Sequence, residues 1–265
     1  LGTLAAQPSA LYVPVTLLLV TYFSLPANLL IYGVNDIFDY ETDKLNAKKK
    51  SYESLLHPSM RAKTWLAIIA LNLAFLIPLI YLDISFGGWI LSATLGGFLF
   101  FGIFYSAPPI RAKTKPVLDS FFNILYVFPG LAAYLAAGGT NLNIPIVVAA
   151  TAWCMAMHAF SAVPDISADR EAGMQTVATF LGAQKTLIFC GLLYTVAGIL
   201  SYPSVGYHAL ILSAGYVGIM YQASKTIRTK KASEKLFKTY KSFPLLNTVA
   251  GMILTLVLLG NLVSF

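Results

Sequence analysis

Apolar residues fall in long unbroken runs, near 10–34, 64–82, 88–105, 117–138, 143–161, 183–201, 206–222 and 243–264. Each approaches the roughly 20 residues that an α-helix needs to cross a hydrocarbon core. Their continuity separates them from barrel strands, which alternate with period two over about ten residues. The pattern predicts an all-α, polytopic transmembrane bundle of eight spans, forming a single domain over 1–265. Composition narrows the field further. Only 11% of residues are charged and 57% are hydrophobic, with a mean hydropathy of +0.72, whereas about a quarter of a soluble domain is charged. A soluble globular domain and a disordered chain are both excluded. Cys154 and Cys190 lie inside apolar runs and read as small buried hydrophobes. No basic segment precedes a cleavable apolar stretch, so no signal peptide is expected. The chain begins at Leu1 rather than Met, and its natural N-terminus is expected to lie upstream.

The charges orient this bundle. Six basic residues lie in the loop 35–63, three in 106–116 (Arg111, Lys113, Lys115), two in 162–185 (Arg170, Lys185) and seven in 223–242. The alternate loops near 83–87, 139–142 and 202–205 hold none of the 18. By the positive-inside rule the charged loops are cytoplasmic. All the acids except Asp83 lie on or beside those same loops. Acids contribute little to orientation, so some of them want another explanation.

Two acidic clusters supply one. The first span runs into Asn35-Asp36-Ile37-Phe38-Asp39-Tyr40-Glu41-Thr42-Asp43. If the helix continues, Asp36, Asp39 and Asp43 share an arc of about 60°, with Asn35 beside them and Glu41 pointing away. Like charges at these spacings weaken a helix, so their presence calls for a compensating cation. Oxygen-only ligands favour Mg²⁺, which shares its shell with phosphates. The fifth span ends in a second cluster, Asp165 and Asp169, four residues apart. The competing reading is solvated loop acids that balance nearby lysines, and Glu53, Glu171, Glu234 and Asp83 are left with it. After the third span, Tyr105-Ser106-Ala107-Pro108-Pro109-Ile110-Arg111-Ala112-Lys113 places two cations behind a stiff turn. They are either topogenic or a phosphate clamp. The run Lys225 to Lys241 reads as a segment facing membrane lipid headgroups, and His158 as a hydrogen-bonded interhelical histidine. There is no Cys/His zinc spacing, no Walker-type glycine loop and no Ser/His/Asp set. No nucleic-acid partner is expected.

Asn35-Asp36-x-x-Asp39-x-x-x-Asp43 and Asp165-x-x-x-Asp169 resemble the two aspartate-rich motifs of the UbiA superfamily of intramembrane prenyltransferases. Gly173, Thr176 and Leu181-Gly182 fit the stretch after the second motif, and the resemblance runs from about residue 24 to the C-terminus. It implies nine helices around a central cavity, with a first helix upstream of this chain and an active site at the cytoplasmic end. The Tyr-Ser-Ala-Pro-Pro loop is similar to that of chlorophyll synthase-like and carotenoid-elongating members, and departs from the commoner Tyr-x-x-x-Lys, since Pro109 stands where the lysine would be. The stretches 29–33, 116–121 and 153–159 look most like the lycopene elongase subgroup, which makes C50 carotenoids.

The resemblance implies an enzyme that moves a prenyl group, the dimethylallyl group, from its diphosphate to lycopene. Mg²⁺ would be bridged by Asp36, Asp39, Asp43, Asp165 and Asp169, and Asn35, Tyr105, Arg111 and Lys113 would contact the diphosphate. Aromatics such as Phe101, Phe104, Phe121, Phe122, Tyr126 and Phe160 are candidates to shelter cations, or are plain packing. Other acceptors stay open: a quinone precursor, a porphyrin alcohol or a lipid glycerol. So does a different class, a cation transporter, although transporter sites sit near the bilayer midplane and these carboxylates lie at one membrane end.

Overall fold

The structure, a computed structural model, describes residues 2–7, 9, 14–43, 55–227, 239 and 243–263; for Leu4, 41–43 and 261–263 it describes the backbone alone. Among the described residues the regular elements are all helices. They are α1 (Gly2–Ala6), α2 (Pro14–Ser24), α3 (Pro26–Asp43), α4 (Arg61–Ser85), α5 (Ile90–Ser106), α6 (Leu118–Phe121), α7 (Phe128–Ala136), α8 (Ile144–Ser161), α9 (Ile166–Glu171), α10 (Val177–Leu181), α11 (Ala183–Val205), α12 (Tyr207–Thr226) and α13 (Phe243–Val263). Short 3₁₀ turns occupy Pro58–Met60, Ala112–Thr114 and Phe122–Tyr126.

Among the described residues, six stretches are long and apolar enough to span a membrane: Pro14–Tyr40, Pro58–Ser85, Leu118–Ala136, Ile144–Ser161, Ala183–Val205 and Phe243–Gly260. The expected count of eight is not reached on these terms. Of the other two expected spans, α5 is a shorter apolar helix of 17 residues. The other, α12, is 20 residues long but carries His208, Gln222 and Lys225 among its apolar residues. The chain is a multi-pass, all-α membrane protein.

Two compact units make up the chain, one from Gly2–Ala112 with Phe128–Thr140, the other from Lys113–Val127 with Asn141–Phe265. In the first unit, α3 packs on α2, α4 and α5, and α7 on α1, α2 and α5. Leu19, Tyr22, Leu30, Val34, Leu79, Leu95 and Phe98 are buried there, while Leu17, Val20, Leu66 and Ile77 point outward, as lipid-facing positions do. Small residues let membrane helices approach closely. Gly33 is such a place, since a Cβ on it would come within 2.8 Å of Ile68 Cδ1. This contact seats α3, and hence the first acidic motif, against α4.

The joint between α2 and α3 falls at Leu25, just before Pro26. Pro26 has no N–H to offer a helix. Asn72 of α4 is buried at this joint: its amide donates to Pro26 O (3.2 Å) and Ile68 O (2.8 Å), and its oxygen accepts from Tyr22 Oη (3.2 Å).

In the second unit, α11 packs on α8 and α12. Their shared core holds Ala156, Phe160, Leu187, Cys190, Tyr194 and Tyr216. The rings of Tyr194 and Tyr216 stack at 4.6 Å and those of Phe160 and Phe243 at 4.7 Å. Both cysteines are free and buried, as expected. The fourth expected span is not one helix. It runs as α6, then a 3₁₀ stretch, then α7, and Val117 enters it at φ 71°, a conformation costly for a β-branched residue. The boundary between the two units also falls inside it, after Val127.

Replacing Asn72 with Leu strips two hydrogen bonds from the α2–α3 joint, those to Tyr22 and Pro26, and a third to Ile68 on its own helix. The expected cost is on the order of 1 kcal/mol, with Tyr22→Phe costing less. Equilibrium unfolding in detergent micelles checks both.

Candidate active site

The first acidic motif forms as a continuous helix. α3 runs through to Asp43, so the expected face carrying Asp36, Asp39 and Asp43 exists; the side chain of Asp43 lies outside the described residues. Asp39 is 6% exposed, and Asn35 and Asp36 are half-buried. Asn35 Oδ1 accepts a 2.8 Å hydrogen bond from Ser106 Oγ, the last residue of α5. That bond ties the motif to the helix end that also carries half-buried Tyr105.

Beyond α5 the chain turns through Pro108 and Pro109, and the Arg111 N–H closes the turn on Ala107 O at 2.9 Å. Arg111 adopts φ 46°, a left-handed conformation that costs a non-glycine residue roughly 1 kcal/mol or more. Its Nη2 lies 3.6 Å from Asp39 Oδ1. The cation forms an ion pair with this buried carboxylate of the first motif. Lys113, in the next 3₁₀ turn, belongs to the other unit and is buried, at 6% exposed.

The second motif does not continue its span. α8 ends at Ser161, residues 162–164 form a turn that includes Pro164, and the aspartates sit on the separate helix α9. A proline disfavours helical geometry in the residue before it, which fits the break. Asp165 is the exposed N-cap of α9, and its carbonyl accepts from the Asp169 N–H at 2.8 Å. Gly173, at φ 69°, ends α9 in the left-handed conformation that glycine adopts freely. The chain then reverses, with Met174 N–H bonded to Asp169 O at 2.8 Å.

Thr176 follows, and with Thr179 it makes a reciprocal capping box at the start of α10. Thr176 Oγ1 also lies 3.5 Å from Asp169 Oδ2. Burial pushes the half-buried Asp169 carboxyl above its ordinary pKa, the negative charge of Asp165 pushes it the same way, and the Thr176 hydroxyl opposes them. Arg170 donates to Thr179 O at 3.2 Å and so braces the same short segment.

In the sequence Asp119 is one more acid beside a basic loop. In the structure it is fully buried at 0% exposed. Its Oδ2 accepts the Val177 N–H at 2.8 Å and lies 3.8 Å from His158 Nε2. The usable signal was a carboxylate in the first turn of an apolar span, where charge is expensive. Among the aromatic candidates, Phe160 is fully buried and stacked on Phe243, a packing role. Phe101 stands among Phe100 (5.3 Å) and Phe128 (5.7 Å).

The donor chemistry fits a hard divalent cation. Both motifs offer only oxygen, and Asp169 is held in surroundings that penalise its charge until a cation offsets it. No group of three or more His, Cys, Asp and Glu is gathered at metal-binding distance among the described residues.

These features define an integral membrane protein whose polar chemistry is concentrated in carboxylates at helix ends and the cations near them. The profile of the UbiA prenyltransferase family matches residues 1–257, and the chain belongs to that family. It is therefore a prenyltransferase. It is 35% identical over 256 residues to a lycopene elongase/hydratase of Haloarcula japonica, covering 96% of this chain and 82% of that protein. A lycopene elongase/hydratase of Corynebacterium glutamicum is 29% identical, covering 91% and 84%. The fold is similar to that of a UbiA homolog from Archaeoglobus fulgidus bound to DMAPP and Mg²⁺. The TM-score is 0.67 at 22% identity, over 93% of this chain and 85% of that one. A UbiA homolog from Aeropyrum pernix K1 matches with a TM-score of 0.65 at 16% identity, covering 95% and 93%. Family membership displaces the transporter reading.

The raised pKa of Asp169 has a consequence for stability. Its carboxyl holds a proton more tightly folded than unfolded, so stability falls as pH rises through the ordinary carboxylate range and stays reduced above it. In the absence of divalent cations, Asp169→Asn should melt at or above the parent's temperature at pH 7. The difference should close at pH values where the carboxyl is protonated in both states. Added Mg²⁺ should raise the melting temperature of the parent more than that of the variant, as followed by differential scanning fluorimetry in detergent.

Proposed function

We propose that this chain transfers a dimethylallyl group from dimethylallyl diphosphate to lycopene, in the synthesis of C50 carotenoids, with residues 1–265 acting as one prenyltransferase domain. The observation that carries this reading is the 35% identity, across 96% of the chain, to a protein named lycopene elongase/hydratase. Asp36, Asp39, Asp43, Asp165 and Asp169 are the metal-bridging carboxylates, and Asn35, Tyr105, Arg111 and Lys113 contact the diphosphate. Mg²⁺, when bound, neutralises charge on the departing diphosphate. The cationic side chains take oxygens the metal leaves, which stabilises the leaving group where its charge develops. No nucleophilic residue is needed. The allylic carbon is attacked by a terminal double bond of lycopene, and the resulting tertiary cation is discharged by loss of a proton or by capture of water.

The ion pair between Arg111 and Asp39 supports the clamp role. A guanidinium held 3.6 Å from a motif carboxylate is placed to exchange that partner for phosphate oxygens, which it can bind bidentately. The distribution of basic residues supports a cytoplasmic side for this chemistry. The diphosphate then arrives from water and the carotenoid from lipid.

Membranes containing this protein, incubated with lycopene, dimethylallyl diphosphate and Mg²⁺, should yield carotenoids heavier by one and two C5 units on mass analysis, and none after exhaustive chelation. Asp36→Asn and Asp165→Asn should lose most turnover. Prenylation of a quinone precursor, a porphyrin alcohol or a glycerol lipid in place of lycopene would reassign the acceptor while leaving the reaction class intact. Arg111→Ala should raise the apparent KM for the diphosphate much more than that for lycopene, because it removes a donor contact. A selective loss of carotenoid dependence would remove Arg111 from the diphosphate site.

A further inference from the structure

We propose that Asp119 is a positioning residue for the second acidic motif: its buried carboxylate fixes the start of α10, and Thr176 at that start in turn fixes Asp169. The proposal rests on the reading of Asp169 as a metal ligand.

Asp119 is fully buried, at 0% exposed, in the first turn of α6. Burying a carboxylate is expensive unless donors reach it. Here Oδ2 receives the Val177 N–H at 2.8 Å, a charge-assisted bond stronger than a neutral one. The imidazole of His158 stands 3.8 Å from the same oxygen. Oδ1 is buried without a hydrogen-bond partner among the described residues. A side chain retained for packing alone would carry no charge at such a position. What the carboxylate holds is a backbone amide 58 residues away in the chain.

That amide belongs to the residue after Thr176. Thr176 is itself buried, and its hydroxyl has two tasks. It caps α10 by accepting the Thr179 N–H at 3.2 Å, and it approaches Asp169 Oδ2 at 3.5 Å. The connection between α9 and α10 is short, with Gly173 in a left-handed turn, and the bond to Val177 holds it alongside the Met174–Asp169 and Arg170–Thr179 bonds. Anchoring Val177 therefore anchors the hydroxyl that faces Asp169. All of these groups lie within one compact unit. Partners one shell out from a metal ligand typically contribute 10–100-fold to metal affinity or activity.

The test uses the full chain in nanodiscs, with Mn²⁺ binding read from the electron paramagnetic resonance of the free ion and turnover read against varied Mg²⁺. Asp119→Ala and Thr176→Val should each weaken Mn²⁺ binding about tenfold and raise the Mg²⁺ needed for half-maximal turnover in parallel. At saturating Mg²⁺ most of kcat should return. Asp119→Asn, which keeps an oxygen for the Val177 N–H, and Thr176→Ser should recover most of the affinity. The double variant Asp119→Ala/Thr176→Val should be no worse than the poorer single one, because both act through the same contact. Hydrogen exchange of residues 174–180 should accelerate in Asp119→Ala.

Mn²⁺ affinity unchanged in a folded Asp119→Ala or Thr176→Val variant overturns the proposal. So does an Asp119→Asn variant as impaired as Asp119→Ala, which would make the charge facing His158 the important feature. An Asp169→Asn control separates the two levels of argument. If it binds Mn²⁺ as the parent does, the metal-ligand reading fails and the proposal falls with it; if it binds poorly while Asp119→Ala binds normally, only the positioning role is lost.

Discussion

A carboxylate removed from water must be compensated locally, and in a chain this apolar the available compensation governs where charge can sit. Asp39, Asp119 and Asp169 stand in three different settings. Asp39 has a guanidinium 3.6 Å away. Asp119 has a backbone N–H and a nearby imidazole. Asp169 has, among the described residues, a threonine hydroxyl at 3.5 Å against both its burial and its neighbour Asp165. Asp119 is compensated at one oxygen, its Oδ1 being buried without a hydrogen-bond partner among the described residues. Asp169 is opposed by burial and by a like charge, which a bound cation would offset.

The surrounding architecture serves this arrangement through small, stiff elements. The Pro108–Pro109 turn shortens the path from α5 to Arg111, and the arginine accepts an unfavourable backbone conformation beside the motif. A capping box of two threonines fixes the start of a five-residue helix, α10, that would be marginal in isolation. The longer helices contribute by being held in place: Gly33 lets α3 sit against α4, and Asn72 satisfies the carbonyl at the α2–α3 joint.

Much of this was legible in the sequence because it follows from local rules. Apolar run length marks the helices, and i, i+3 and i+7 spacing puts the first three aspartates on one face of a helix that does extend through them. The two prolines mark a stiff turn directly after a span, but the pairing of Arg111 with Asp39 is supplied by the structure. Apolar run length puts the second motif on the end of a continuous span, whereas it lies on a helix of its own, because the turn through Pro164 interrupts the helix first. The fourth span was read as one apolar run. Hydropathy does not register a change of hydrogen-bonding pattern, so the 3₁₀ stretch and the strained Val117 were invisible to it. Asp119 escaped because its partner, the Val177 amide, is far away in the chain and belongs to the backbone. No side-chain pattern encodes such a pairing.

That last point bears on how electrostatic sites of this type hold their selectivity. Where catalysis consists of stabilising a departing anion, the chain contributes geometry and charge rather than a reacting nucleophile. Errors of about 0.5 Å in ligand position then matter directly. Residues that never touch substrate but fix those that do, as a buried acid can through one amide and one hydroxyl, become part of the chemistry in all but contact. Their identity is constrained by donor count and reach, not by reactivity. An aspartate suits the task because it is short, and because when ionised it only accepts hydrogen bonds. It can therefore grip an N–H without offering a donor of its own to the oxygen-rich motif nearby.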